Sequence, residues 1–437
     1  MHSRQGKVVP GVEALVGRLI QTASRRYLKF DDTSDVTELP GPKPTGSYLL
    51  YLHIPFCVTL CPFCSFHRVE FKKARAQTYF DALRREIRLA TTAGYTFGEI
   101  YIGGGTPTVM PTELVRTIEL VRELHDVTRI SVETNPDDLD ESIVSQLHQA
   151  GINRLSVGVQ SFDDELLKEM KRYDKYGSGE TIRRRLVRLR DTFDTLNVDM
   201  IFNFPHQTGA SLQRDLAILT GEIAADQVSF YPLMATRTTR KAMQQSLGNV
   251  DFTRESSMYG QIADHMLASG YTRSSAWCFS RGTNMIDEYI TEQNEYLGLG
   301  SGAFSYLDGR IMASTFSINH YMKRVEQGET GIVRQRVLGR TDTMRYYLLM
   351  RLFSGYLDLD AADAHFEGQF QKGLRPELAA LRLYGAIQKQ ASTIRLTDRG
   401  YYLWVVMMRE FFSGVNRLRE QMRHNIARET EVIRAAG

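Results

Sequence analysis

The stretch YLHIPFCVTLCPFCSFH, residues 51–67, runs from an apolar, β-rich segment straight into three cysteines. Cys57, Cys61 and Cys64 stand in C-x3-C-x2-C spacing, close enough in sequence for their thiolates to converge on one site. An iron–sulfur cubane normally takes four cysteine ligands, so three leave one iron open to a small molecule. Zinc also accepts short cysteine spacings, with His53 or His67 to hand as a fourth ligand. Spacing alone leaves both readings standing. The chain has four cysteines, three of them within eight residues, which is the clustering of an intracellular metal site and not of a secreted disulfide framework.

Working outward, YLLYLHI (48–54) is the first of six β-rich runs that alternate with helix-period stretches. The others are EIYIG (99–103), RISVET (129–134), RLSVGV (154–159), VDMIFN (198–203) and QVSFYP (227–232). Helices are predicted near 73–93, 111–124, 140–150, onward to about 190, and 210–224. Strands alternating with helices predict an α/β fold with a parallel sheet and right-handed crossovers, here a partial (β/α)6 barrel over residues 47–310. The glycine and polar motifs fall just after strands, at the end where such barrels build their active sites. Residues 1–46 read as a leader helix (11–28) and a Pro-Gly linker (39–46). Residues 311–437 read as a mostly helical, winged-helix-like domain, with helix, helix, hairpin and helix in order. The closing RLREQMRHNIARETEVIRAAG (417–437) reads as a solvated helix that frays.

Composition narrows the class. The 437 residues suffice for a barrel with an appendage, and a formal net charge of +3 with acids interspersed among the bases argues against a nucleic-acid partner. No stretch approaches 18 uninterrupted apolar residues, and the N-terminus lacks a signal-peptide core, so a cytoplasmic protein without a membrane span is expected. Cys278, between Trp277 and Phe279, reads as a small core residue, with a hydrogen-donor or thiyl role as the alternative.

The cysteine segment with its flanks, Tyr51 and His53-Ile54-Pro55-Phe56, resembles the radical S-adenosylmethionine (SAM) superfamily, in the branch of the oxygen-independent coproporphyrinogen III oxidase (HemN)-like proteins. The resemblance covers about residues 47–410. It implies a 4Fe-4S cluster on Cys57, Cys61 and Cys64 whose open iron binds SAM, with an electron from the cluster producing a 5′-deoxyadenosyl radical that abstracts hydrogen. Further positions match one by one. Gly103-Gly104-Gly105-Thr106-Pro107 ends the second strand, where absent β-carbons let backbone approach the methionine amino group. Glu133, in ETNP, would contact the cofactor; a solvated loop acid is the alternative. Gln160, Arg172 and Asp199 would surround the adenosine and carboxylate of SAM, and Tyr51 would lie near the sulfonium. Tyr51 and Glu133 are thus the implied catalytic pair. Asp199 reads as mid-strand and is costly to bury without partners. GLGSGAFSY (298–306) resembles an adenine-side or second-cofactor segment.

The resemblance implies a tetrapyrrole substrate and a reducing electron donor such as flavodoxin or ferredoxin. Oxidative decarboxylation of propionates is the first expectation. The leader lacks the YTSYPTA-like tongue of coproporphyrinogen oxidases, and TNMIDEY (283–289) lacks the histidine and tryptophan of the haem-chaperone HNxxYW segment. Class C methyl transfer or haem-ring opening with two SAM molecules, haem carriage without turnover, and a zinc-stabilised winged-helix regulator are the alternatives. Arg237, Arg240 and Lys241 follow the sixth strand and would hold substrate carboxylates, or form a solvated basic loop. The run Arg183, Arg184, Arg185, Arg188 and Arg190 reads as an exposed helix face.

Overall fold

A computed structural model describes residues 28–30, 39–43, 47–234, 243–282 and 295–435. The leader helix, Arg237, Arg240 and Lys241, and the segment 283–289 lie outside the described residues.

Six parallel strands form in the predicted places: β1 (Ser47–Ile54), β2 (Thr96–Gly104), β3 (Arg129–Thr134), β4 (Arg154–Gln160), β5 (Thr195–Phe202) and β6 (Gln227–Pro232). Helices α1 (Lys73–Thr92), α2 (Pro111–Leu124), α3 (Glu141–Gln149), α4 (Gly179–Val187) and α5 (Gly209–Ala217) make crossovers between them. The sheet is extended by β7 (Thr272–Arg273), β8 (Cys278–Ser280), β9 (Tyr296–Leu299), β10 (Phe304–Leu307), β11 (Arg310–Ser314) and β12 (Ile332–Val337). Its order is β12-β11-β10-β9-β1-β2-β3-β4-β5-β6-β8-β7, with β9 parallel to β1 and the remaining added strands antiparallel to their neighbours. Among the described residues no pairing joins the two ends, so the parallel core is a partial barrel with antiparallel flanks.

Alternation of burial along the strands follows from crossover helices on the outer face. On the inner face, adjacent strands bring Tyr51 beside Tyr101, Glu133 beside Ser156, and Gly158 beside Asp199. The expected helix running to about 190 is instead three pieces, Asp164–Glu169, Tyr173–Tyr176 and α4. Lys171 (φ 56°) and Gly177 (φ 89°) break it by turning left-handed.

After α6 (Glu255–Ala268) and the flanking strands, α7 (Arg340–Phe353) precedes a three-stranded antiparallel sheet of Tyr356–Asp358, Thr393–Leu396 and Ile387–Gln390. α8 (Asp398–Ala435) closes the chain, completing the helix–hairpin–helix order read from the sequence. The expectation of a solvated helix over 417–437 is corrected in its first turns. Leu418 and Met422 are fully buried and Arg419 is 8 % exposed, because this face of α8 packs back onto the barrel.

α1 fastens the loops around the barrel mouth. Tyr79 Oη donates to the His53 carbonyl at 2.6 Å and accepts from Ser301 N–H at 2.9 Å. Glu86, wholly buried, accepts from Gly300 N–H (2.8 Å), Gly331 N–H (2.6 Å) and Tyr321 Oη (2.7 Å). The GLGSG loop is therefore tied by its backbone to one helix, which satisfies the buried carboxylate.

Candidate active site

The three cysteines follow β1 on a loop that two backbone bonds dock onto the end of β2: Gly105 N–H to Ile54 O (2.7 Å) and Thr106 N–H to Phe56 O (2.8 Å). All three line one cavity of about 260 Å³, together with Tyr51, Tyr101, Gly104, Glu133, Gln160, Arg172 and Asp199. Every site residue read from the sequence is thus on that wall except Thr106. Its hydroxyl stands behind, 3.6 Å from Cys57 Sγ, and accepts from Asn135 Nδ2 at 2.8 Å.

Cationic side chains hold the cysteine loop. Arg68 Nη2 donates to the carbonyls of Cys61 and, at 2.9 Å, Cys64. Arg172 is 3 % exposed and points Nη1 at Cys61 Sγ (3.6 Å), while Nη2 donates to Gly158 O and approaches Asn135 Oδ1 at 3.4 Å. Its guanidinium lies 4.2 Å from the Tyr176 ring centroid. Burial pushes the Cys57 thiol up to about 11, so it keeps its proton until a metal takes its place.

Glu133 ends β3 and is clasped from two sides, by Tyr101 Oη to Oε1 (2.9 Å) and Gly104 N–H to Oε2 (3.1 Å). Burial, and then the charge of Asp199, push its carboxyl up to about 7. Asp199 has the partners its position demands: Ser156 Oγ donates at 2.8 Å and Asn197 Nδ2 at 2.7 Å, with Arg154 a favourable charge nearby. Burial still raises it. The solvated-acid alternative for Glu133 is therefore set aside; two desolvated carboxyls form a floor suited to a cationic ligand.

The glycine run has a different cause from close approach to a ligand alone. A β-carbon on Gly103 would lie 2.7 Å from the Glu133 carboxyl carbon, and one on Gly104 would strike the His53 ring at 2.7 Å. Gly104 also has φ 117°, outside the range of other residues. Gln160, at φ 78°, is itself left-handed, and the register slips between Gly158 and Gln160. That bulge turns the end of β4 at the cavity rim.

The donor set decides between the metals. His53 spends Nδ1 on Tyr51 Oη (2.9 Å) and Nε2 on the His67 carbonyl (2.9 Å), and His67 Nε2 meets Ser301 Oγ at 3.3 Å. Neither histidine lines the large cavity, and among the described residues no three His, Cys, Asp or Glu side chains form a mononuclear metal site. Three thiols with no fourth protein ligand fit a cubane with one open iron. Arg172 Nε, buried without a partner, is a further donor at the same wall.

The comparisons agree. The profile of the radical SAM superfamily matches residues 51–218. The chain belongs to that superfamily, among its HemN-like members. This family uses a 4Fe-4S cluster and SAM. A heme chaperone HemW of Lactococcus lactis is 27 % identical over 376 residues, covering 83 % of this chain and 95 % of that one. An anaerobilin synthase of Escherichia coli O157:H7 is 28 % identical over 369 residues, covering 81 % of each. An oxygen-independent coproporphyrinogen III oxidase of Escherichia coli K12 is 27 % identical over 391 residues, covering 82 % of this chain and 84 % of that one. The solved coproporphyrinogen III oxidase (HemN) of Escherichia coli shares the fold, with a TM-score of 0.71 at 23 % identity over 90 % of this chain and 93 % of that one.

Sequence reading of this radical SAM protein missed the layer beneath the floor. Arg154, wholly buried, donates to Gln227 Oε1 (2.8 Å) and Ser131 Oγ (3.0 Å), while Ser229 Oγ donates to Asn197 Oδ1 at 3.1 Å. The signal was there: Ser131 with Glu133, Arg154 with Ser156, Asn197 with Asp199 and Gln227 with Ser229 are polar at every second position, hence on one face of successive strands. Sequence reading also missed Arg419 and Asn416 of α8, which line the cavity. Cys278, fully buried, does not line it; its sulfur lies 3.6 Å from Ser229 Oγ, as its core reading expects. No helix of the described residues is long and apolar enough to cross a membrane.

Proposed function

We propose that this radical SAM protein is an enzyme that starts radical chemistry on a carboxylate-bearing tetrapyrrole, with oxidative decarboxylation of propionates as the reaction. In this reading Cys57, Cys61 and Cys64 hold the cluster, and Tyr51, Gly104, Gly105, Thr106, Glu133, Gln160, Arg172 and Asp199 serve SAM. When bound, the cluster and SAM supply a 5′-deoxyadenosyl radical. The chain's own residues do the rest. Glu133, oriented by Tyr101 and Gly104, offers a desolvated carboxylate to a positively charged group of the cofactor, and Asp199 adds negative charge beneath it. Arg172 places a guanidinium against the Cys61 sulfur, where it offsets the negative charge of a thiolate-bound cluster and presents Nε to an anion. Trp277, Phe412 and Tyr231 give the cavity an apolar wall that excludes water from a reactive intermediate.

The observation that carries the reading is this cavity, with three thiols on one side, a two-carboxyl floor and an aromatic wall around one volume. The three kinds of relative are named for heme, coproporphyrinogen III and anaerobilin, all tetrapyrrole chemistry. The test is anaerobic cluster reconstitution, then incubation with SAM, a low-potential reductant and either coproporphyrinogen III or haem, with products read by mass spectrometry. Substrate-dependent 5′-deoxyadenosine with loss of carbon dioxide from the porphyrinogen is expected. S-adenosylhomocysteine alongside it would replace decarboxylation by methyl transfer. Stable haem binding with an intact cluster and no SAM cleavage would replace the enzyme by a carrier.

A further inference from the structure

The cavity has a charge polarity that the cofactor residues do not exhaust. Its floor is acidic, Glu133 and Asp199, while across from it α8 contributes Asn416 and Arg419, which are 4 % and 8 % exposed. The other two cationic residues of the lining are committed to the cysteine loop, Arg68 to the Cys61 and Cys64 carbonyls and Arg172 to Gly158 O and the Cys61 sulfur. One turn further along α8, Arg423 donates to Ser65 O (2.7 Å) and Phe66 O (3.1 Å). Arg419 is held differently. Its guanidinium lies over the Phe66 ring at 4.5 Å and within 6.0 Å of the Phe304 ring, and Nη1 donates to Asn416 Oδ1 at 2.6 Å. Stacking fixes the plane of a planar fork and leaves the fork's edge to set direction. Asn416 accepts through its oxygen, which turns its amide nitrogen into a further donor.

Arg419 also lines a second, smaller cavity of about 50 Å³ walled by Tyr51, Phe66, Tyr296, Phe304, Tyr306 and Phe412. Tyr51, Phe66, Phe412 and Arg419 belong to both cavities, so the guanidinium stands at the junction of two aromatic-walled spaces. Burial together with the charge of Arg419 lowers Arg423 below the usual arginine range, so positive charge is crowded in this roof.

We propose that Arg419, with Asn416, forms a carboxylate-binding site in the roof of the cavity and selects an acidic conjugated substrate. The proposal rests on the tetrapyrrole-acid reading above and adds the residues that read the acid. A flat conjugated ring stacks on the aromatic walls, the guanidinium takes one carboxylate by paired N–H donors, and the acidic floor repels that carboxylate, which orients the ring. The residue pair determines specificity; the radical chemistry takes place elsewhere in the cavity.

The test uses the full chain with its cluster reconstituted, and titrates coproporphyrin III and its tetramethyl ester by the porphyrin absorbance, in the wild type, Arg419→Met, Arg419→Lys and Asn416→Leu. The two probes share the ring and differ in charge. The wild type is expected to prefer the acid; Arg419→Met is expected to weaken the acid about tenfold or more, as befits loss of a charge-assisted pair, with the ester affected less than twofold. Asn416→Leu loses part of that preference, and Arg419→Lys recovers part of it. Equal losses for acid and ester mark a merely structural residue and overturn the proposal. So does loss of SAM affinity in Arg419→Met without either porphyrin, which would assign the guanidinium to the cofactor. A wild type that binds neither probe sinks the tetrapyrrole reading and the proposal with it, whereas tight acid binding indifferent to Arg419 sinks the proposal alone.

Discussion

Gly103 and Glu133 are packed so closely that a β-carbon on the glycine would lie 2.7 Å from the carboxyl carbon of the acid. The acid is held there by Tyr101 and by the N–H of the next residue, Gly104. Gly103→Ala therefore displaces a carboxylate rather than backbone, since Gly103 has no left-handed φ to lose. We expect the variant to keep its cluster and fold within roughly 1 kcal/mol, yet to bind SAM about tenfold more weakly, the loss of one charged contact. Gly104→Ala, with its left-handed φ of 117° and the His53 ring in the way, is expected instead to lower the melting temperature. Equilibrium dialysis with labelled SAM and a thermal melt separate the two.

Glu133 also makes cofactor binding pH-dependent. Its carboxyl is pushed up to about 7 by burial and by Asp199, so near neutral pH a substantial fraction is protonated in the unliganded protein. A cationic ligand favours the ionised form. SAM affinity is expected to rise as pH climbs through about 7 and to level off above it, with Glu133→Gln weak throughout and flat. A wild-type profile without slope between pH 6 and pH 8 (about one unit either side of that value) would contradict the assignment.

The strands and their motifs were legible because each parallel strand, buried on both faces, is a short apolar run, and because GGGTP and ETNP follow such runs directly. What escaped was tertiary. Arg154 reads as the polar start of a strand, and only the register of β4 between β3 and β5 places it under the floor with Ser131 and Gln227. Arg419 and Arg423 sit in a run of alternating charges that looks solvated, and nothing local tells which helix face folds back some 350 residues to meet Ser65 and Phe66. The break after Arg172 was equally hidden, since Lys171 carries no mark of its left-handed φ.

Asp215 on α5 gives a stability prediction independent of the cofactor. It accepts from Phe162 N–H (3.0 Å) and Ser161 Oγ (2.9 Å) while 1 % exposed, and burial pushes it up to about 7 from an ordinary 3.8. A carboxyl raised by folding binds more protons in the native than in the unfolded state. Its contribution is complete below about pH 4 and is lost as pH rises to about 7, by up to about 4 kcal/mol at 1.36 kcal/mol for each unit. Asp215→Asn keeps an acceptor for Phe162 and removes the titration. Denaturant midpoints of the wild type are expected to fall across that interval relative to those of the variant; parallel curves would refute it.

Glu86 is the single acceptor for two loop amides and a tyrosine, and its substitution separates those roles. Gln at this position presents an NH2 group where either Gly331 N–H or the pair of Gly300 N–H and Tyr321 Oη now donates. At least one buried donor is left facing another donor, which costs about 1–3 kcal/mol. Glu86→Gln is expected to melt lower and to expose the GLGSG loop to faster amide hydrogen exchange, with protection of β3–β5 unchanged.

The last prediction concerns Arg423, which reaches from α8 to the carbonyls of Ser65 and Phe66 just past the third cysteine. Two charged donors on one short loop oppose its opening, and each is worth about 1–3 kcal/mol when the acceptors lie away from water. Arg423→Ala frees the segment between Cys64 and the strand-like Val69–Glu70 without touching a thiol. The variant should therefore assemble a full complement of iron anaerobically but lose its visible cluster absorbance in air roughly tenfold faster than the wild type. Arg423→Lys, which keeps one donor of the fork, should fall between the two. If instead Arg423→Ala bleached at the wild-type rate, α8 would be a passive cover; if it failed to take up iron at all, the contact would be needed for assembly rather than for protection.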